Sequence, residues 1–269
     1  MAFAALFRKT GKRARICKPM TRILAAAGIL ALVCLAATLV NCASQAVAAP
    51  DTPDKETVVL LHGLGRSSSS MWIFAFRLKR AGFQVELVGY DSINQTPDEI
   101  LEEISEQIRE CCANVSGRMH FVGHSLGGLM VRAYLQSNDV ANLGRVVLMG
   151  TPNQGTVAAD YFRDTWLLKR LGPTAERLGT DENSFPLTLE GPYFPVGIIA
   201  GEFENDLIDN VIPGKDDGLV PVEATKLEGM TDFIVLQTSH AMMRYDEEVA
   251  RQTIEFLKNG RFDHDNNID

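Results

Sequence analysis

Cysteine is scarce in this 269-residue chain: five in all, three of them (Cys17, Cys34, Cys42) within the first 49 residues. The remainder holds only the adjacent pair Cys111 and Cys112, so a disulfide scaffold is excluded. Neighbouring cysteines bridge only by straining the peptide between them, which leaves two thiols packed at a helix end. No His or Cys stands at ligand spacing around the pair, and neither a metal nor another cofactor is expected. Acids are absent from residues 1–49, which carry seven Lys or Arg; bases are short in the rest, where 19 of the 26 remain against 34 acids, a net charge of −15. A body that acidic repels phosphate backbones and anionic headgroups, which excludes nucleic acid as a partner and favours a neutral or small substrate. With 46% hydrophobic and 22% charged residues, disorder, collagen and a many-spanning membrane protein are excluded as well.

Charge is also missing from Ile23 to Val40, 18 residues nearly all Ala, Leu, Ile or Val, with the basic cluster before them and Ala46-Val47-Ala48 after. Residues 1–49 therefore read as a cleaved export signal, with a small-x-small cleavage site and Met20 as an alternative start, or as an N-terminal membrane anchor. Eighteen apolar residues just suffice to span a bilayer, so residues 23–40 offer a route to membrane association. Leu39-Val40-Asn41-Cys42 loosely matches a lipoprotein box, although Asn41 stands where a small residue is wanted. Because bases stay inside, every one of these readings exports the body, to a periplasmic or extracellular location.

Residues 50–258 alternate short apolar runs with helix-like stretches, the rhythm of an α/β domain with a mainly parallel sheet of about six strands flanked by helices. Strands are predicted at 57–61, 84–88, 119–123, 145–149, 196–200 and 233–237. A helix carrying Trp72, Phe76 and Leu78 follows a capping Ser run at 67–70, and others span 97–110, 126–136 and 246–257. Residues 156–194, broken by Gly172-Pro173, Pro186 and Gly191-Pro192, show no strand and are too long for an ordinary connection. They read as a small cap over the sheet ends, and residues 259–269 as a polar tail.

Gly123-His124-Ser125-Leu126-Gly127 fits G-x-S-x-G. The bare pattern arises by chance in roughly one chain in ten, but here an apolar strand enters it and a helix leaves, the setting in which a nucleophilic Ser sits on a tight turn. A hydroxyl needs a histidine to take its proton and an acid to orient that histidine. Of five histidines, His62 and His124 belong to the motif turns, His120 lies inside a strand and His264 in the tail, which leaves His240 on the loop after the last strand. The acid is sought after the preceding strand, among Glu202, Glu204, Asp206, Asp209, Asp216 and Asp217. Asp217 is preferred, with Asp216 in reserve, because Gly218 permits a tight turn and Leu219-Val220-Pro221 anchors it. Backbone N–H groups of Leu126 and of Leu64, in the turn His62-Gly63-Leu64-Gly65, are the candidate oxyanion donors, and His62 is a structural residue of that turn.

The runs LLHGLG, GHSLGG, DDGLVP and TSH, in this order, resemble the α/β-hydrolase superfamily, within it the bacterial lipase and esterase branch, and more distantly the GPI inositol-deacylase-like lipases. The resemblance covers nearly all of residues 57–257. It implies an α/β-hydrolase fold and a serine esterase or lipase that cleaves a small-molecule or lipid ester through an acyl-enzyme. Ser125, Asp217 and His240 fall on the triad positions, and the Asp before the Gly of D-G-x-V supports Asp217. A thioesterase, acyltransferase or amidase uses the same triad, and a non-catalytic envelope binding module is the alternative of another class. Gly-Thr-Pro-Asn-Gln-Gly at 150–155 resembles a loop of these lipases. The family's N-terminal strand pair is expected to be missing, and Met242 stands where calcium-binding relatives carry Asp. Ser125 argues against relatives with an Asp or Cys nucleophile. Tyr161, Phe162, Trp166, Leu167, Leu168 and Leu171 could pack as core or rim an acyl pocket; Trp166, and Trp72 flanking the same cleft, are the candidate substrate contacts.

Overall fold

The β-branched and aliphatic run Thr57–Leu61 forms β1, every residue of it buried. The computed structural model describes residues 55–203 and 214–265. The leader of residues 1–49 and the acids Glu204, Asp206 and Asp209 lie outside the described residues. Beyond β1 the strands are β2 (Gln84–Val88), β3 (Met119–His124), β4 (Leu143–Met149), β5 (Val196–Gly201) and β6 (Asp232–Leu236). They make one sheet in the order β2-β1-β3-β4-β5-β6, with all neighbours parallel. β1, β3 and β5 are buried along their whole length, as strands covered on both faces must be. The last strand begins one residue earlier than its apolar run predicts, since Asp232 pairs with Gly197 and the Thr238 N–H already turns back to the Leu236 carbonyl.

Helices α1 (Trp72–Arg80), α2 (Pro97–Cys112), α3 (Leu126–Ser137) and α9 (Glu247–Asn259) cover the sheet. α2 opens on a reciprocal cap between Thr96 and Glu99, with Pro97 in its first turn, and buries Ile100, Ile104, Ile108 and Cys112 at four-residue spacing. Cys111 beside them is exposed; both thiols are free, and burial pushes both pKa values up. In α1 the buried face is Phe74, Ala75 and Leu78, while Trp72 and Phe76, one turn apart, point outward. The Ser run does not cap α1 with a side chain: Ser68–Met71 is a 3-10 turn, and the Ser70 hydroxyl returns to the Ser67 carbonyl.

The cap segment has no strand. It holds four short helices, α4 (Val157–Phe162), α5 (Trp166–Arg170), α6 (Pro173–Glu176) and α7 (Phe185–Thr188). One further turn, α8 (Val222–Thr225), follows the DDGLVP run. Apolar side chains form a core on each face of the sheet, one against α2, α3 and the cap, the other against α1 and α9. Among the described residues no helix is long and apolar enough to cross a membrane.

Candidate active site

The register pairs Leu61, the last residue of β1, with Gly123 near the end of β3, so the turns after both strands meet at the carboxyl edge of the sheet. This is beside the point where the strand order reverses, where open parallel sheets form crevices. Ser125 stands between β3 and α3 with φ 56° and ψ −124°, the only non-glycine at positive φ among the described residues. Its neighbours explain how the chain bends so sharply. A Cβ on Gly123 would lie 2.5 Å from the Gly128 Cα, and one on Gly127 would lie 2.5 Å from the His62 carbonyl oxygen. Only glycine fits either place. The Ser125 N–H is anchored on the Met149 carbonyl at 2.9 Å.

The three residues singled out from the sequence come together. Ser125 Oγ lies 3.0 Å from His240 Nε2, and His240 Nδ1 lies 2.7 Å from Asp217 Oδ2. The other carboxylate oxygen, Oδ1, accepts the N–H groups of Leu219 at 3.0 Å and Val220 at 2.8 Å, which locks the carboxylate plane. The Asp217 carbonyl accepts the His240 N–H at 2.7 Å, so the two loops are also clamped through the backbone. Asp216 points elsewhere: its Oδ1 accepts the Gly218 N–H at 2.6 Å and shapes the turn. Glu202 pairs with Lys215. Neither N–H of Leu64 or Leu126 has an acceptor among the described residues, and Leu126 opens α3, whose first N–H groups point out of the helix.

Two further histidines hold this arrangement. The fully buried His62 donates Nδ1–H to the Gly63 carbonyl at 2.9 Å, accepts the Tyr90 N–H, and stacks on the Tyr90 ring at 4.1 Å. The Tyr90 hydroxyl donates to the His62 carbonyl. His124 packs against the His240 ring at 4.9 Å and donates Nε2–H to the His240 carbonyl at 2.9 Å. Burial, with the charges of His240, Arg244 and Arg66 nearby, pushes its pKa well down, so it braces His240 as a neutral ring.

The Ser125 hydroxyl opens into a cavity of about 310 Å³ whose far wall is apolar: Ala158, Phe162, Leu168, Leu171, Ala175 and Leu178 from the cap. Trp72 and Trp166 do not line it. Trp72 faces away from the buried side of α1, and Trp166 is 73% exposed at the start of α5, whose inward residue is Leu168. Tyr161 is likewise exposed. Spacing in a five-residue helix gave no basis for choosing the buried member.

The Gly-Thr-Pro-Asn-Gln-Gly run ties the cap base to the acid loop. Asn153 Nδ2 donates to the Thr225 carbonyl, the Thr156 hydroxyl to the Leu219 carbonyl, and Pro152 lines the cavity. Two arginines escaped the motif reading. Arg132 of α3 is buried, with its guanidinium on Asn153 Oδ1 and the carbonyls of Leu189 and Glu190; burial lowers its pKa to about 10, leaving it cationic at neutral pH. Arg244 lines the cavity four residues after His240, and a charge directly after the stretch from Ser239 to Met243, which holds no Lys, Arg, Asp or Glu, was its one available signal.

A parallel sheet of this order, with Ser125 on a strained strand-to-helix turn and Asp217 and His240 on later loops of the same edge, is the α/β-hydrolase fold. Residues 57–184 match the family model of palmitoyl protein thioesterase. Among solved structures, the mature lipase BlEst2 of Bacillus licheniformis is similar at TM-score 0.58 and 20% identity, over 78% of this chain and 91% of that one. Phospholipase PlaB of Legionella pneumophila is similar at 0.60 and 16%, over 77% and 60%. A pyrethroid hydrolase of Sphingobium faniae is similar at 0.51 and 16%, over 76% and 98%. No curated protein matches the sequence.

Proposed function

We propose that this protein is a serine hydrolase that cleaves carboxylic esters of acyl chains through an acyl-enzyme. The observation that carries this reading is the hydrogen-bonded line from Ser125 Oγ through His240 to Asp217, ending in an apolar cavity. Ser125 Oγ attacks the carbonyl carbon while His240 Nε2 takes its proton, and Asp217 holds the ring and stabilises the imidazolium. The oxyanion accepts N–H bonds from Leu64 and Leu126, each worth about a hundredfold or more in rate. Collapse of the tetrahedral species expels the alcohol, which leaves with the proton from His240. Water, deprotonated by His240, then releases the acid and regenerates Ser125.

Thioester cleavage is the second reading, favoured by the family match over residues 57–184, which contains both β1 and the Ser125 turn. The test is hydrolysis of a p-nitrophenyl ester series from acetyl to palmitoyl, beside the matching acyl thioesters, by the full chain and Ser125→Ala. Loss of about 10⁵-fold or more in Ser125→Ala is expected. Hydrolysis of long chains in preference to short ones assigns the apolar wall to the acyl group. Serine-dependent thioester cleavage without ester cleavage replaces the first reading by the second, and no serine-dependent hydrolysis at all defeats both. The layout of residues 1–49 supports work outside the cytoplasm, either released or held by residues 23–40. Fractionation of cells carrying a C-terminally tagged chain tests this, and a cytoplasmic tag counts against it.

A further inference from the structure

The cavity has two unlike walls. The cap wall is apolar apart from Thr156, whose hydroxyl is taken up by the Leu219 carbonyl, whereas the two loops flanking Ser125 contribute an arginine each: Arg66 after β1 and Arg244 after His240. Arg244 is 8% exposed, yet it makes no hydrogen bond or ion pair with any described residue, and its Nε is buried without a partner. Among the described residues the other buried or half-buried arginines all have acceptors, and several surface ones do too. Arg132 has side-chain and carbonyl acceptors, Arg77 and Arg145 each hold two carbonyls, and Arg163 and Arg251 are paired with carboxylates. Withdrawing a cation from water without a counter-charge is costly, and such groups collect where a ligand completes them.

Arg244 is nonetheless held in place. Its guanidinium lies 4.7 Å from the centre of the Tyr245 ring, a contact that fixes the plane while leaving its N–H donors free. The turn that carries it is fastened from α1, where Arg77 donates to the carbonyls of Tyr245 at 2.6 Å and Asp246 at 2.8 Å. Met243, fully buried, pins the same turn to the core. A preset, unpaired fork in the wall of a reaction cavity is suited to a planar or tetrahedral oxyanion.

We infer that the substrate is an acyl ester or thioester whose leaving group carries an anion, a carboxylate or a phosphate, received by Arg244 with Arg66 at the mouth. The inference rests on the serine-hydrolase reading and assigns the two halves of the substrate: the acyl chain against the cap, the charged alcohol or thiol against the loops. It also refines what the net charge suggests, since an acidic body disfavours large polyanions while a local cation pair selects a small one.

The test uses three thioesters of one acyl chain, octanoyl, with mercaptoethanol, mercaptopropionate and mercaptoethyl phosphate as leaving groups, each kcat/KM divided by the alkaline hydrolysis rate of its substrate. At low salt at least one anionic thioester is expected to exceed the neutral one by about tenfold, and raising the salt to several hundred millimolar shrinks that ratio. The better anion identifies the group. In Arg244→Gln the ratio falls toward one, and Arg244→Lys retains an intermediate value. A wild-type ratio of one or less for both anions overturns the inference without recourse to any variant, as does an unchanged ratio in a folded Arg244→Gln. Thiol release that survives in Ser125→Ala overturns instead the serine-hydrolase reading; Ser125-dependent release with no anion preference overturns the anion inference alone.

Discussion

Asp216 and Asp217 are adjacent, both buried, and both accept backbone N–H bonds in the same turn, yet one oxygen separates their roles. Asp217 reaches His240 with Oδ2 while Oδ1 is held by two N–H groups, so an amide in its place keeps the shape but favours the wrong imidazole tautomer. Asp217→Asn is expected to lower kcat by about 10³- to 10⁴-fold with the melting temperature little changed, whereas Asp216→Asn lowers it by less than about tenfold. Steady-state kinetics on one p-nitrophenyl ester, with thermal melts of both variants, checks this; equal losses would move the acid. At this scale the sequence narrowed the acid to two residues and preferred Asp217 from the turn chemistry and the resemblance; which side chain turns inward depends on the turn's direction relative to a loop 23 residues away.

Two elements carry constraints that their own sequence only half reveals. The turn from β3 into α3 needs glycine because backbone presses on it from both sides, and the Cβ of Gly127→Ala would meet the carbonyls of His62 and Leu61 at 2.5 and 2.6 Å. That substitution is expected to cost about 2 kcal/mol or more and to lower kcat together with stability, since relief requires moving Ser125. Urea melts beside kinetics test it, and a stable, fully active variant counts against the packing argument. The middle of α3 is fastened by Arg132, whose acceptors lie on the 150–155 run and on the chain leaving α7. Arg132→Met strips those oxygens of their donor and is expected to destabilise by about 2–3 kcal/mol. Arg132→Lys recovers only part of this, because an ammonium cannot reach separated acceptors as a fork does. The helix periods of α2, α3 and α9 were legible in sequence; the four short cap helices were not, since four to six residues carry no usable period.

Over the whole molecule, three histidines, His62, His120 and His124, are fully or almost fully buried, and burial lowers the pKa of each. Below the ordinary histidine pKa of about 6.5 the unfolded chain takes up protons at these sites that the folded chain refuses. Stability therefore rises with pH through that range and falls as pH drops from about 6.5 toward 5, by up to about 1.4 kcal/mol per pH unit for each histidine. Denaturant midpoints at pH 7.5, 6 and 5 (about these values) check the sign. His120 can be isolated from the reaction: buried in β3, it accepts the Arg145 N–H at 2.9 Å and lies 3.4 Å from Glu56. His120→Gln is expected to flatten the pH dependence, and an unaltered slope would remove His120 from the account.

What the sequence by itself determined is local: the apolar runs that became six strands and the glycines that permit the turn at Ser125. Each follows from steric or periodic rules acting over a few residues. What only the tertiary structure decided is contact between distant stretches. Strand order and register bring Ser125 and His240 together across 115 residues, turn Asp217 rather than Asp216 toward the ring, and seat Leu168 rather than Trp166 against the cavity. The same assembly leaves the Arg244 guanidinium without an acceptor among the described residues, and no rule of local sequence encodes that, because an unpaired charge is defined by everything packed around it.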